Sequence, residues 1–339
     1  MERIVFYECS QSCAGTTVER FLRRQGVSHR VLLDLKHTPN GLTLDGKPVR
    51  TIDRLPPEGK LRLCLPETDR SDTIPQADIA LDIVYEDDDL FVVNKPAGLA
   101  VHPSPQNREN TVANGLAALY AARQEPFVFR AIGRLDKNTS GLIVLAKNAL
   151  SAGLLTTQAA QKVMHHDYLA ICTGMLPDEG TIDAPIGRAD GSVIRREVRP
   201  DGDRAVTHFV RLAYRDGYSL ARVWLDTGRT HQIRVHFAHL GYPLSGDFLY
   251  HPDFSRIQRH ALHAGALWLR QPVTGQPLHF TAPLPDDMRV FSPMHKQKAP
   301  SDNLRESFFS YNSPKSRMAG KPHMPCAART ARPTALPIT

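Results

Sequence analysis

The stretch "AIGRLDKNTSGLIVLAKN", residues 131–148, sets Arg134 and Asp136 on a polar turn just before an apolar run. A carboxylate in that place has two uses. It can pair with Arg134 at the surface, a contact of about 0–1 kcal/mol, or it can be held at the wall of a cleft as a nucleophile or proton acceptor. Thr139 and Ser140 carry hydroxyls that can bond back to the backbone, and Gly141 opens the strand-like "LIVLAK". A second reactive type stands in "THQIRVHFAHLG", residues 230–241. With Thr230 as N-cap and Gly241 just past the end, Ile233, Phe237 and Leu240 form the buried stripe of a helix, which puts Arg234 at the stripe's edge, where a guanidinium seeks an acid. Of the nearby histidines only His236 and His239 share a face, and no acid or cysteine lies close in sequence to complete a metal site. The chain has no GxxxxGK[ST], HExxH, GxSxG or CxxC, so P-loop hydrolysis, zinc proteolysis, serine hydrolysis and zinc ribbons lack their signatures.

These residues need a scaffold, and its elements are readable. "LDIVYEDDDLFVVNKPAGLAVHPS" gives two strands, 81–85 and 90–94, around an acidic turn. "TVANGLAALYAARQ" gives a helix with Thr111 as N-cap and Val112, Leu116, Leu119 and Tyr120 on one face. From about 165 to 285 short β-rich runs dominate, too irregularly spaced for a doubly wound parallel sheet. A mixed, largely antiparallel α+β domain with flanking helices and a central cleft is expected. Upstream, residues 17–67 read as a compact unit: two short helices broken at Gly26, a hairpin turning at Asp45-Gly46, and a returning strand "GKLRLCLPE". The first helix and its successor carry Arg20, Arg23, Arg24 and Arg30, which a solvated face would also explain. The order helix-helix-hairpin with those arginines resembles the S4-like RNA-binding module, a small α/β fold. The polar stretch 68–80 reads as a linker, giving three expected segments: 1–75, 76–292 and a tail, 293–339.

The net charge of +7 is concentrated in that tail, whose eight Lys and Arg against two Asp and Glu leave the body nearly neutral. Rich in Pro, Ser and Ala without periodicity, the tail should be disordered. A body so balanced would bind a polyanion through a local basic patch. The five scattered cysteines suit reduced thiols, no apolar window of ~18 residues could span a bilayer, and the acidic start "MERIVFYECSQ" is unlike a signal peptide, so a cytoplasmic protein is expected.

Taken in order, "VVNKPAGLAVHPS" (92–104), "GRLDKNTSGL" (133–142), "DYLA" (167–170), "DTGRTHQIRVHFAHLGYPLSGD" (226–247) and "HAGALWLRQPVTGQPLHFTAPLP" (263–285) resemble the motifs of the RluA-type family of RNA pseudouridine synthases. The likeness spans about 81–290 and departs at one place: "HHD" precedes Tyr168 where the family usually has a lysine or arginine. The resemblance implies isomerisation of uridine in structured RNA, by cleaving the N1–C1′ glycosidic bond, turning the base and rejoining it through C5. It implies that Asp136 is catalytic, attacking the sugar or removing a proton from it, that Arg234 keeps Asp136 ionised, and that Tyr168 stacks on the detached base and helps remove the C5 proton. Arg134 is then the side chain that fills the gap left by the flipped nucleotide, with Arg229 and His231 as further RNA contacts. It implies ribosomal RNA before transfer RNA as partner, a monomer, and neither metal nor organic cofactor. One carryover carboxylate separates this reaction from glycoside hydrolysis, which uses a pair and a water. A non-catalytic RNA-binding protein of the same fold would have no need to keep Asp136, Tyr168 and Arg234 together.

Overall fold

The computed structural model describes residues 2–66, 71–105, 107–289 and 291. The expected disordered tail, 293–339, lies outside the described residues, as do 68–70 of the expected linker.

The chain opens with a strand that the motif reading did not include. β1 (Glu2–Cys9) turns Val5, Tyr7 and Cys9 inward, and it pairs antiparallel along its whole length with β4 (Gly59–Pro66). Between them lie α1 (Val18–Arg24), α2 (His29–His37), β2 (Leu42–Leu44) and β3 (Lys47–Pro48), giving the sheet order β1-β4-β2-β3. The expected break falls at Gly26, at φ 87°, and the β2–β3 turn is Asp45-Gly46, both at positive φ (49° and 81°) as a two-residue hairpin requires. The unit therefore begins at residue 2 rather than 17.

The large unit is built from β5 (Asp82–Glu86), β6 (Leu90–Lys95), α3 (Val112–Ala122), β7 (Ala131–Ile132), β8 (Ser140–Ala146), α4 (Ala149–Ala160), β9 (His165–Thr173) and β10 (Glu179–Asp183). It continues through β11 (Ile186–Arg188), β12 (Arg196–Val198), β13 (Val206–Arg215), β14 (Tyr218–Leu225), α5 (Gln232–His239), β15 (Leu262–Arg270), β16 (Pro277–Thr281) and α6 (Asp286–Arg289). Ten of the strands form one sheet whose main path runs β10-β13-β14-β9-β15-β8-β6-β5. Every pairing in it is antiparallel except β15 with β8. The expected mixed, largely antiparallel α+β sheet is what the chain forms. Thr111 caps α3, its hydroxyl accepting from the Asn114 N–H, and Val112, Leu116 and Tyr120 are buried against Phe91 and Val93 of β6.

The two units share a core. Leu150 and Leu154 of α4, with Val273, belong to the same apolar cluster as Phe21, Leu22 and Leu32 of the N-terminal unit. Arg3 grips the fully buried Asp89 with two N–H donors, at 2.9 and 2.6 Å. Asn148, Ser151 and Gln271 donate to the same carboxylate. Residues 71–80, assigned to a linker by their polarity, also pack: Ile79 joins the α3 cluster, and the Asn114 side chain donates to the Pro75 carbonyl.

Candidate active site

Asp136 sits where β7 gives way to β8, and the residues after it explain the turn. The Thr139 hydroxyl meets His260 Nε2 at 2.9 Å and the Ser140 hydroxyl meets His263 Nδ1 at 3.0 Å. Gly141, at φ 112°, passes so close to β15 that an added Cβ would lie 2.3 Å from the Ala264 carbonyl oxygen, so no other residue fits there. The polar triplet thus ties the Asp136 turn across the sheet instead of bonding back to its own backbone, as its hydroxyls were expected to do. Beneath the turn the fully buried Lys95 ammonium donates to the carbonyls of Pro96, Leu99 and Lys137, at 3.0, 2.8 and 3.0 Å. Burial, and after it the Arg259 charge, lower its pKa to about 7, with Asp136 acting in the opposite sense. Arg259 adds a donor to the Asn138 carbonyl.

The acid that Arg234 seeks is doubled. Its Nε and Nη2 donate to the two oxygens of Asp247 at 2.7 and 2.8 Å, and its Nη1 donates to Asp136 Oδ2 at 3.0 Å. Asp247 is fully buried and Arg234 is 2% exposed, whereas the Asp136 side chain keeps 29%. Burial works against the charge on Arg234, but the two carboxylates outweigh it and raise its pKa. The guanidinium carbon also lies 5.2 Å from the Tyr250 ring centre and 5.4 Å from that of Phe248.

The helix carrying Arg234 differs from expectation in three ways. Its N-cap is His231, in left-handed conformation at φ 59°, and not Thr230. Leu240 is 38% exposed, while Gln232, Val235 and His236 are buried with Ile233 and Phe237. Arg234 is accordingly enclosed, not at an edge. The cause is that α5 is covered on several sides: His236 bridges the Thr207 hydroxyl and the Ala184 carbonyl, at 2.9 Å each. Gln232 donates to Val206 O and accepts from the Arg229 N–H, fixing the approach loop. The strained φ at His231 is held by a 3.1 Å bond between its Nδ1 and the Tyr250 hydroxyl, and it leaves Nε2 3.8 Å from Asp136 Oδ2.

One cleft of about 500 Å³ collects Asp136, Tyr168, Arg234, Arg134, Arg229 and His231 among its lining. Tyr168, on β9, is half-buried there, and burial followed by the Asp136 charge pushes its phenol pKa up, so the hydroxyl keeps its proton at neutral pH. Arg134 is exposed and the basic partner of Asp136 is Arg234, so the surface ion pair between neighbours in sequence does not form. Arg20, Arg23, Arg24 and Arg30 are exposed on the N-terminal unit and do not line the cleft. Asp247, Tyr250, Lys95 and His260 support the site without having been singled out. Asp247 closes the motif 226–247, and Arg234's need for an acid was the signal that pointed toward it.

The sequence profile described as RNA pseudouridylate synthase matches residues 89–239. A Bacillus subtilis protein described as an uncharacterized RNA pseudouridine synthase, YjbO, is 37% identical over 274 residues, covering 80% of this chain and 96% of that protein. This chain belongs to the RluA-like family of RNA pseudouridine synthases. It is thus an isomerase acting on RNA. Ribosomal large subunit pseudouridine synthase D of Xanthomonas campestris is 37% identical over 279 residues, covering 77% of this chain and 83% of that one. The solved structure of human RNA pseudouridylate synthase domain containing 1 superposes with a TM-score of 0.55 at 25% identity, over 71% of this chain and 99% of that one. No helix among the described residues is long and apolar enough to cross a membrane.

Proposed function

We propose that this pseudouridine synthase modifies folded ribosomal RNA, with Asp136, Tyr168 and Arg234 as its catalytic residues. The observation that carries the reading is the chain Asp247–Arg234–Asp136 at the floor of the cleft. Asp247 neutralises a guanidinium that could not otherwise be buried, and an Nη1–H faces a carboxylate that is open to the cleft. Asp136 is therefore oriented when a uridine arrives, placed to attack the sugar or remove its proton. Tyr168 offers a protonated, half-buried ring against which the detached base stays stacked, and its hydroxyl is the group that helps remove the C5 proton.

A hydrolytic reading would need a second carboxylate facing a water. Asp247 has both oxygens bound by Arg234 and no exposure, so it does not serve. The exposed Arg134 enters the gap left by the extruded nucleotide, and Arg229 and His231 at the rim meet the flanking backbone. Residues 1–75 act as an S4-like module that widens the footprint through Arg20, Arg23, Arg24 and Arg30, residues 76–292 carry the reaction, and 293–339 adds nonspecific affinity. The relatives named for the ribosomal large subunit favour ribosomal over transfer RNA. We read it as a monomer acting in the cytoplasm.

Incubation with uridine-containing RNA should yield pseudouridine and no free uracil. Mapping pseudouridine in total RNA with and without the gene should lose sites in ribosomal RNA. Loss confined to transfer RNA would overturn the substrate assignment.

A further inference from the structure

Tyr168 has a neighbour in the cleft that the mechanism leaves unused. Side chains two residues apart on a strand share a face, so His166 stands on the same side of β9 as Tyr168. It lines the cleft, 5.9 Å from the Tyr168 ring between centres and tilted 36° to it. The residues on either side of His166 are engaged: His165 stacks on Trp268 at 5.1 Å, and Asp167 accepts from Arg222 at 2.5 Å.

The two nitrogens of His166 are unequal. The ring is half-buried, the Leu142 carbonyl is its hydrogen-bond partner, and Nε2, shut off from solvent, has none. Leu142 is therefore met by Nδ1. Burial lowers the pKa to about 4, with the Leu142 bond opposing it and the His165 charge adding to it. At neutral pH the ring thus carries one proton, on Nδ1, and Nε2 is a bare acceptor. Among the described residues, no other residue lining the cleft has a buried side-chain polar atom without a partner. Asp136, Thr139, Asp226, Thr227 and Gln232 all have theirs. A buried lone pair left unmet costs stability, and its persistence in a substrate cleft points to a donor that the substrate brings.

The chemistry of the substrate selects that donor. The base of a uridine has one, N3–H, between two carbonyl acceptors; cytosine has a lone pair at the same place. In the isomerisation N1–C1′ breaks, C5–C1′ forms, C5 gives up a proton and N1 takes one. The half turn that exchanges N1 with C5 runs about the axis through N3 and C6 and exchanges the two carbonyls as well. N3–H lies on that axis. Contacts to the carbonyls must break during the turn, whereas a hydrogen bond to N3–H survives it. A base stacked on Tyr168 presents its edge to a ring standing beside it.

We propose that His166 Nε2 accepts the N3–H of the target uracil and is the pivot on which the detached base turns. This role rests on the assignment of Tyr168 to that base, and it makes His166 the residue that tells uracil from cytosine.

The test uses the full-length protein and an unmodified large-subunit ribosomal RNA transcript labelled in its uracil rings, with pseudouridine and free uracil measured together. The parent should form pseudouridine alone. His166→Asn keeps a donor for Leu142 but has no acceptor at the position of Nε2. Its kcat should fall about tenfold, with KM within about threefold of the parent, and free uracil should accompany the product. His166→Gln returns an oxygen to that position and should suppress the uracil. A merely structural role would lower turnover without changing the split between the two products. Should His166→Asn not fold or not react, the parent decides: a synthetic RNA with N3-methyluridine at the mapped target lacks the donor and should not be converted. Pseudouridine without uracil from His166→Asn, the same uracil release from His166→Gln, or turnover of N3-methyluridine within about tenfold of uridine overturns the pivot. A parent that forms no pseudouridine counts against the proposed function, while a parent that forms it with His166 variants unchanged counts against the pivot alone.

Discussion

Arg234 meets Asp136 through one N–H, Nη1 to Oδ2 at 3.0 Å, because its other two forward-facing donors are held by Asp247. That asymmetry makes the two acids inequivalent. Asp136→Asn leaves the buried guanidinium with its bidentate partner and an amide oxygen to meet Nη1. Folding stability should change by no more than about 1 kcal/mol, while pseudouridine formation should fall below detection, since the other carboxylate lining the cleft, Asp226, is held by Lys162 and His208 and not by Arg234. Turnover within tenfold of the parent, with RNA binding intact, would remove Asp136 from the mechanism.

Asp247→Asn should behave in the opposite way. Arg234 would then lie buried with a single partly exposed counterion, and breaking a buried pair costs about 3–5 kcal/mol. A large drop in the denaturant midpoint should accompany reduced kcat. A variant as stable as the parent would show that Asp136 alone balances Arg234.

Acid should weaken the fold before it protonates the carboxylates. Burial pushes His166 and His263 down to about 4. Their folded values lie below the unfolded one near 6.5, so between pH 6.5 and 4 the unfolded chain takes the protons first. Stability falls as pH falls, by about 1.4 kcal/mol per unit for each histidine, and the slope vanishes above pH 6.5, where both states are neutral. Urea midpoints across pH 7 to 5 should show this decline, and His263→Asn should flatten it. A flat profile in the parent would place water or a counter-charge beside these rings.

The N-terminal unit should separate into two kinds of arginine. Arg3→Met strips the fully buried Asp89 of its bidentate partner and should cost about 3–5 kcal/mol. Replacing Arg20, Arg23 and Arg24 with glutamine should leave the midpoint nearly unmoved, weaken RNA affinity and reduce its salt slope by ~0.7–0.9 for each lost phosphate contact. Equal salt slopes in parent and variant would remove these residues from the RNA surface.

Local pattern was enough for much of this molecule. The Asp45-Gly46 turn, the Thr111 cap and the strands on either side of residues 86–89 depend on neighbours a few residues apart, and such spacing is written directly in sequence. The ordered motifs also singled out Asp136, Tyr168 and Arg234, which the fold brings to one cleft. β1 was missed, because what makes Glu2–Cys9 part of the N-terminal unit is its pairing with β4, more than fifty residues on. Helix periodicity placed Arg234 at the edge of a stripe; only the packing of β13, Ala184 and the Asp247 loop around α5 encloses it. The same holds for the partner of Asp136. Proximity in sequence suggested Arg134, two residues away; the family resemblance pointed to Arg234, 98 residues away, and that is the one in contact. A guanidinium removed from water must find its acids wherever the tertiary structure brings them, and no local spacing records that choice.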